Sequence, residues 1–152
     1  MKIVEFLRED CVIHDLAGRS AQAVLAELCR PISEARKVDA QRLLETLLER
    51  EKLGSTGIGE GVAIPHGKVT SLSTLSASFG RSAAGIDFRA IDGRPTNLFF
   101  ALFAPENSAG LHLKALARIS RIFKNPSFRE SILRASDAAE IYRLIEAEDA
   151  KY

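Results

Sequence analysis

The longest uninterrupted apolar stretch of the chain covers residues 98–104 and ends before Pro105. Runs of this kind are typical of strands covered on both faces, whereas a strand with one wet face alternates apolar and polar residues. We therefore predict a central buried strand here. Shorter β-branched or imperfectly alternating stretches predict further strands at residues 12–14, 62–64 and 72–79, and Asp92 with Gly93 indicates a turn.

Two helices are predicted between the first of these strands and the second. Ser20 is expected to cap the first helix, and Pro31 is expected to end it, because proline lacks the N–H that continues a helix. Asp39 is expected to cap the second helix, which carries apolar residues at helical spacing over 43–48. Gly54 should close that helix, since glycine readily adopts the backbone conformations that follow a helix end.

Three more helices are predicted after the central strand. The first covers residues 111–123, and the second begins at Pro126, with Asn125 as its cap. Asp137 and Glu140 resemble a capping box at the start of the last helix. The predicted order is therefore β-α-α-β-β-β-α-α-α, which indicates an α/β fold with a sheet sandwiched between helical layers.

Composition and charge limit the class of protein. A chain of 152 residues is most simply a single domain, covering 1–152. Its 21 basic and 20 acidic residues give a net charge of +1, so nucleic acid or an anionic membrane is not an expected partner. Cys11 and Cys29 form no CxxC pair, and no apolar run is long enough to cross a membrane. The acidic N-terminus does not resemble a signal peptide, so we expect a soluble, cytoplasmic protein without membrane insertion.

The segment 54–68 carries the most distinctive local pattern. Four glycines fall within eight positions, and His66 then stands between Pro65 and Gly67. Glycine and proline both oppose a regular helix, so the backbone here must bend and present one imidazole at a fixed place. A histidine held in this way is a candidate for proton transfer, metal ligation or covalent catalysis.

Two of the alternatives for this segment have little support. A Walker phosphate loop would need glycine at Val62 and serine or threonine at Val69, and the glycine spacing is not the dinucleotide fingerprint. A metal site ranks well below a nucleophile, because no two of the three histidines have a metal-binding spacing and no cysteine lies near His66. A two-histidine site with a carboxylate stays geometrically open, but we interpret His66 as a nucleophile that accepts a phosphoryl group.

A phosphorylated imidazole needs cationic and N–H neighbours. Arg50 is a candidate because a guanidinium binds phosphate bidentately, and His112 is another because it lies at the start of a predicted helix. Each also has a structural interpretation: Arg50 as a charge favoured at a helix C-terminus, and His112 as an ordinary helix-start residue. The same holds for Lys68 on the surface and Thr56 in a turn, and a structural role is favoured for His14.

The residues of this segment resemble a known signature. Residues 55–59 and 61–68 are similar to the active-site signature of enzyme IIA of the mannitol/fructose class of the bacterial phosphotransferase system, and most similar to its nitrogen-regulatory branch. The stretches 47–51 and 111–120 fit the same family. The resemblance implies a three-layer α/β/α sandwich with a small mixed sheet. It also implies a phosphotransferase that needs no cofactor or metal.

The resemblance further assigns roles to particular residues. It implies that His66 accepts a phosphoryl group from the phosphohistidine of a small phosphocarrier protein of the HPr or NPr type, with phosphoenolpyruvate at the head of the chain. It implies that Arg50 and His112 support phosphate binding, and we assign Thr56 and Gly67 to positioning of the phosphate and the loop. We also expect His66 to lie in a shallow apolar depression, with Ile64, Leu111 and the strand 99–103 as possible contributors.

Three functions remain open at this stage. The favoured one is a stand-alone regulatory IIA that signals through its phosphorylation state to targets such as potassium transport proteins or sensor kinases. The second is a sugar-transport IIA that passes phosphate to a IIB component, often fused to it; we expect no such module in these 152 residues. The third is a non-enzymatic binding module in which His66 is merely structural.

Overall fold

A computed structural model describes all 152 residues of the chain. Five helices and six strands follow one another, after a short 3-10 turn at Ile3–Glu5. No helix combines the length and the apolar character needed to cross a membrane. The strands are β1 (Leu7–Ile13), β2 (Gly57–Gly59), β3 (Val62–Ala63), β4 (His66–Lys68), β5 (Ser76–Ile86) and β6 (Thr96–Ala104), and the helices are α1 (Ala21–Arg36), α2 (Ala40–Lys52), α3 (Ala109–Phe123), α4 (Pro126–Arg134) and α5 (Ala138–Asp149).

The six strands form one mixed sheet in which β6 is central. The order is β1-β5-β6-β3-β2, and β4 also pairs with β6. β5 runs antiparallel to β6, whereas β3 and β4 run parallel to it and share its other edge. The apolar run predicted as a doubly covered strand is confirmed, because all seven of its residues are buried. The predicted fold class is confirmed as well, with two short strands more than expected.

Neighbouring residues of β5 contact helices on opposite faces of the sheet. Ser78 donates a hydrogen bond of 2.7 Å to the carbonyl of Leu28 in α1. The next residue, Phe79, stacks on Phe123 of α3 with ring centroids 5.9 Å apart. Phe100 of β6 packs edge-to-face against the same Phe123. The sheet therefore lies between α1 and α2 on one side and the C-terminal helices on the other.

The predicted end of the first helix is wrong. Pro31 lies inside α1, which continues to Arg36 and ends with Lys37 in the left-handed conformation. Proline removes one helical hydrogen bond, but Leu28, Cys29 and Ile32 are almost fully buried on either side of it. Burial of apolar side chains outweighs the loss of one partly exposed hydrogen bond, so tertiary packing overrides the local signal.

Two other sequence-based boundaries also need correction. The strand expected at 72–79 begins only at Ser76, because Leu72 closes a turn by donating its N–H to the carbonyl of Val69. The strand expected at 12–14 is instead the end of the longer β1, and His14 follows it, exposed. Leu72 and Leu75 are nevertheless buried, so their alternation reflects packing of a loop against the core.

The helix caps were predicted more accurately. Ser20, Asp39, Asn125 and Asp137 each accept a backbone N–H from the first turn of the helix they precede. The expected capping box at α5 is wrong in one half. The side chain of Glu140 accepts from the N–H and hydroxyl of Ser136, one residue earlier than a capping box requires.

A buried carboxylate joins the two ends of the chain. Asp149, at the end of α5, is almost fully buried. One of its oxygens accepts from Arg118 Nε at 2.5 Å, and the other accepts from the backbone N–H of Ile3 at 2.6 Å. A carboxylate removed from water in this way depends on its partners for its stability.

We predict that Arg118→Leu lowers the free energy of unfolding by about 3–5 kcal/mol, because it leaves a buried carboxylate without its cation. Urea denaturation measures the loss. The matched control is Arg134→Leu, which removes an exposed ion pair: the side chain of Arg134 is 73% exposed and that of Glu130 is 68% exposed. Exposed pairs contribute under about 1 kcal/mol, so equal losses in the two variants would contradict the prediction.

Candidate active site around His66

His66 lies where the sheet pairing of β6 passes from one strand to another. β3 pairs with Leu98 and Phe99, and β4 places His66 opposite Leu102. The intervening Pro65 has no N–H to donate, but its carbonyl accepts the N–H of Leu102 at 2.9 Å. The backbone is therefore fixed on both sides of the histidine while the ladder is interrupted next to it.

The imidazole of His66 is held by its own backbone. Its Nδ1 lies 2.8 Å from the carbonyl oxygen of Ile64. Because a carbonyl oxygen only accepts, Nδ1 must carry the proton, and the neutral ring then has its lone pair on Nε2. Burial lowers the pKa of His66 below its ordinary value; the Ile64 carbonyl partly opposes this, the charge of Arg50 adds to it and Glu51 opposes it. The ring is therefore neutral near pH 7 and nucleophilic at Nε2.

His112 lies beside His66. It belongs to the first turn of α3, and the two ring centroids are 5.5 Å apart at an interplanar angle of 75°. The residue is 8% exposed, and its Nε2 is buried without a hydrogen-bond partner. Burial lowers the pKa of His112, and the neighbouring His66 and Lys68 lower it further. A buried ring nitrogen without a partner is uncommon, and it leaves a hydrogen-bonding position available to a bound group.

Arg50 completes this group of residues from the last turn of α2. Its Nη1 donates 2.8 Å to the carbonyl of Gly54, which anchors the guanidinium at the helix end. Its positive charge is close enough to lower the pKa of His66. The structure therefore brings together Arg50, His66 and His112 from α2, β4 and α3, which the sequence separates by 62 positions from first to last (112 − 50).

Thr56 and Gly67 act on the backbone around the histidine. The buried Thr56 donates its N–H to Glu51 Oε1 at 3.0 Å and its hydroxyl to Glu51 Oε2. Gly67 faces Thr46 of α2 so closely that a Cβ would overlap the threonine methyl group. In this structure the Thr56 hydroxyl donates a hydrogen bond to Glu51 at the end of α2, and Gly67 permits the close packing of α2 on β4.

Glu51 and Thr46 were not predicted as site residues. For Glu51 a signal existed, because an acid in the last turn of a helix is disfavoured by the helix dipole and invites a specific explanation. For Thr46 there was none, since only the folded packing brings it to Gly67.

The apolar surroundings differ from the expectation. Ile64 and Phe99 to Phe103 are buried in the core and do not line the surface around His66. Leu111 and Leu113, on either side of His112, are 45% and 68% exposed. Lys68 is exposed as expected, yet its charge acts on His112.

The fold and this group of residues define a class: an α/β domain with a neutral, backbone-oriented imidazole beside a second one. The chain belongs to the EIIA 2 family of the phosphoenolpyruvate-dependent sugar phosphotransferase system, whose family model matches residues 5–148. The resemblance found in the signature is thus confirmed. Proteins of this family are phosphoryl-transfer components, which supports a phosphoryl-carrier role.

Individual relatives agree with this assignment. The chain is 37% identical to a nitrogen regulatory protein of Bradyrhizobium diazoefficiens over 145 residues, which is 95% of each chain. It is 35% identical to the fructose-specific EIIABC component of Bacillus subtilis, matching 98% of this chain and 24% of that one. The crystal structure of the nitrogen regulatory protein IIA-Ntr of Neisseria meningitidis is similar with a TM-score of 0.89 and 34% identity, covering 94% of this chain and 98% of that one.

We predict that both His66 and His112 titrate below about pH 6.5, the ordinary value for histidine. The folded protein then binds fewer protons than the unfolded chain just below that pH, so its stability falls as the pH is lowered through this window. Arg50→Gln should raise the pKa of His66 by removing a nearby positive charge. Long-range ¹H–¹⁵N spectra of the rings measure the midpoints, with Arg134→Gln on α4 as the control. Midpoints at or above 6.5 for the wild-type rings would contradict the prediction.

Proposed function

We propose that this chain is a phosphoryl carrier that accepts a phosphoryl group on Nε2 of His66 from the phosphohistidine of a small phosphocarrier protein of the HPr or NPr type. The observation that supports this most directly is the contact between His66 Nδ1 and the Ile64 carbonyl. It leaves Nε2 as the nucleophile. Membership of the EIIA 2 family supports the same chemistry.

The proposed step exchanges one phosphorus–nitrogen bond for another. The lone pair of His66 Nε2 attacks phosphorus, and the donor's imidazole leaves with the electrons of the broken bond. Because the bonds broken and formed are alike, catalysis requires mainly in-line positioning and neutralisation of phosphate charge. The guanidinium of Arg50 and the unpartnered Nε2 of His112 are suited to contact the phosphoryl oxygens.

We further propose that the phosphorylation state regulates target proteins in the cytoplasm, such as potassium transport proteins or sensor kinases. The nitrogen regulatory protein of Bradyrhizobium diazoefficiens supports this branch, because it corresponds to this chain over 95% of both lengths. Phosphorylation adds roughly −1.5 to −2 charges to the surface at His66, which is enough to change the choice of partner.

A second candidate function is transport of a sugar. It is favoured by the 35% identity to the fructose-specific EIIABC component over nearly all of this chain. In that role the phosphoryl group passes from His66 to a cysteine of a separate IIB component.

Transfer to His66 is tested with phosphoenolpyruvate, the first enzyme of the system and the phosphocarrier protein. The wild type should acquire an acid-labile, alkali-stable label, and His66→Gln should acquire none. His14→Gln is the matched control, because His14 is exposed beyond β1 and should be labelled normally. Arg50→Gln and His112→Gln should slow labelling while keeping the wild-type melting temperature.

Several outcomes would contradict this proposal. Label that persists in His66→Gln places the acceptor elsewhere. An unlabelled wild type favours the third alternative, a binding module in which His66 has no chemical role. Unchanged rates in both Arg50→Gln and His112→Gln remove those two residues from the phosphate site.

The regulatory and transport functions make different predictions about the labelled protein. If the chain is regulatory, the phosphorylated and His66→Gln forms should differ at least about tenfold in affinity for a target, or about 1.4 kcal/mol. A fructose-type IIB component should then remove the label slowly. Rapid loss of label to the IIB cysteine, with equal affinity of both forms for every target tested, would instead establish the transport function.

A further inference from the structure

Glu51 connects α2 to the hairpin that precedes His66. It directly follows Arg50 in the last turn of the helix, and its side chain is half-buried. Both of its oxygens are used: Oε1 accepts the backbone N–H of Thr56, and Oε2 accepts the threonine hydroxyl. One carboxylate therefore fixes both the backbone and the side chain of Thr56.

Thr56 in turn holds the residue that orients His66. The carbonyl of Thr56 accepts the N–H of Ile64 at 3.0 Å, across the hairpin formed by β2 and β3. The carbonyl of Ile64 then accepts from His66 Nδ1 at 2.8 Å. Three successive hydrogen-bonded links, through Thr56 and Ile64, thus join the Glu51 carboxylate to the imidazole.

The charge of Glu51 acts on the same ring. It raises the pKa of His66, opposite in sign to the effect of the adjacent Arg50. Glu51 also lies in the last turn of α2, where the helix dipole disfavours an acid, so its position there costs free energy. The hydrogen-bonded links from this carboxylate lead to His66, and its charge acts on the same ring.

We propose that Glu51 is a positioning residue for phosphoryl transfer, a role that rests on the proposed function of His66. By holding Thr56, it keeps the Ile64 carbonyl in place, and that carbonyl keeps the proton of His66 on Nδ1 and the lone pair on Nε2. Glu51 does not contact the phosphoryl group. Without it, the ring samples the other tautomer and other orientations, and fewer encounters with the donor are productive.

Three substitutions separate this role from general support of the loop. Glu51→Ala removes both hydrogen bonds. Glu51→Gln removes the charge but keeps the bonds, because its oxygen accepts the Thr56 N–H and its amide donates to the Thr56 hydroxyl oxygen. Thr56→Val removes the hydroxyl link alone. The matched control is Glu49→Ala, an exposed acid two positions earlier on α2.

The first measurement is the ¹⁵N signature of the His66 ring, which reports the tautomer without any transfer reaction. The wild type, Glu49→Ala and Glu51→Gln should show the proton on Nδ1, and Glu51→Ala should show a mixture of tautomers. In Glu51→Gln the pKa of His66 should be lower than in the wild type.

The second measurement is the rate of labelling by the phosphocarrier protein: Glu51→Ala should lose about tenfold to a hundredfold in kcat with an unchanged KM for the carrier. Glu51→Gln should recover most of that loss, and Thr56→Val should lie between.

The proposal is overturned if folded Glu51→Ala keeps both the wild-type tautomer and the wild-type rate. It is equally overturned if Glu51→Gln falls as far as Glu51→Ala, or if the loss appears in KM alone. Should Glu51→Ala fail to fold, Thr56→Val decides: a wild-type ring signature and rate would overturn the proposal. An unlabelled wild type contradicts the proposed function instead, while the ring signature still reports on Glu51.

Discussion

The hydrogen bond between His66 Nδ1 and the Ile64 carbonyl is the interaction on which the chemistry of this site depends. A free imidazole exchanges its proton between two nitrogens, so either one can be the base. Here a carbonyl oxygen 2.8 Å from Nδ1 removes that ambiguity. The carbonyl belongs to the backbone only two residues earlier, so its position relative to the ring is set by the path of the chain.

The sheet determines that path. β6 is paired along one edge by β3 and then by β4, and Pro65 lies at the change between them. A continuous strand would engage the Ile64 carbonyl in the ladder or direct it away from the histidine. The interruption frees it for the imidazole, while the bond from Leu102 to Pro65 keeps the strand in place. The buried central strand β6 therefore lies in the core of the fold and also fixes the backbone on which His66 lies.

The sequence predicted the parts of this arrangement that have strong local signals. The apolar run of β6, the side-chain caps at Ser20, Asp39 and Asn125, and the Pro65-His66-Gly67 motif each follow from the chemistry of a few neighbouring residues. The fold class followed from their order. The same local logic was wrong at Pro31, because buried neighbours on the sheet side stabilise the helix across the proline.

Other features could not be predicted, because they exist only between segments that folding brings together. The contact between Gly67 and Thr46 joins β4 to the middle of α2. The bonds of Glu51 to Thr56 join a helix end to a hairpin; the unfavourable place of an acid in the last turn signals a specific partner, but no pattern of spacing identifies Thr56 as that partner. The signature located the histidine, but the groups that orient it lie in backbone carbonyls and helix contacts, which any residue type can supply.

The cationic groups of the site favour both the free imidazole and the proposed phosphorylated one. Burial and the charge of Arg50 lower the pKa of His66, which keeps its nucleophilic nitrogen free of a proton. Lys68 has the same effect on His112. The same cations repel a proton, which is positive, and attract a phosphoryl group, which is negative. A site that relied on an anion to raise the pKa of the ring would instead repel the phosphate. Glu51 is compatible with this requirement because both of its oxygens are already hydrogen-bonded to Thr56.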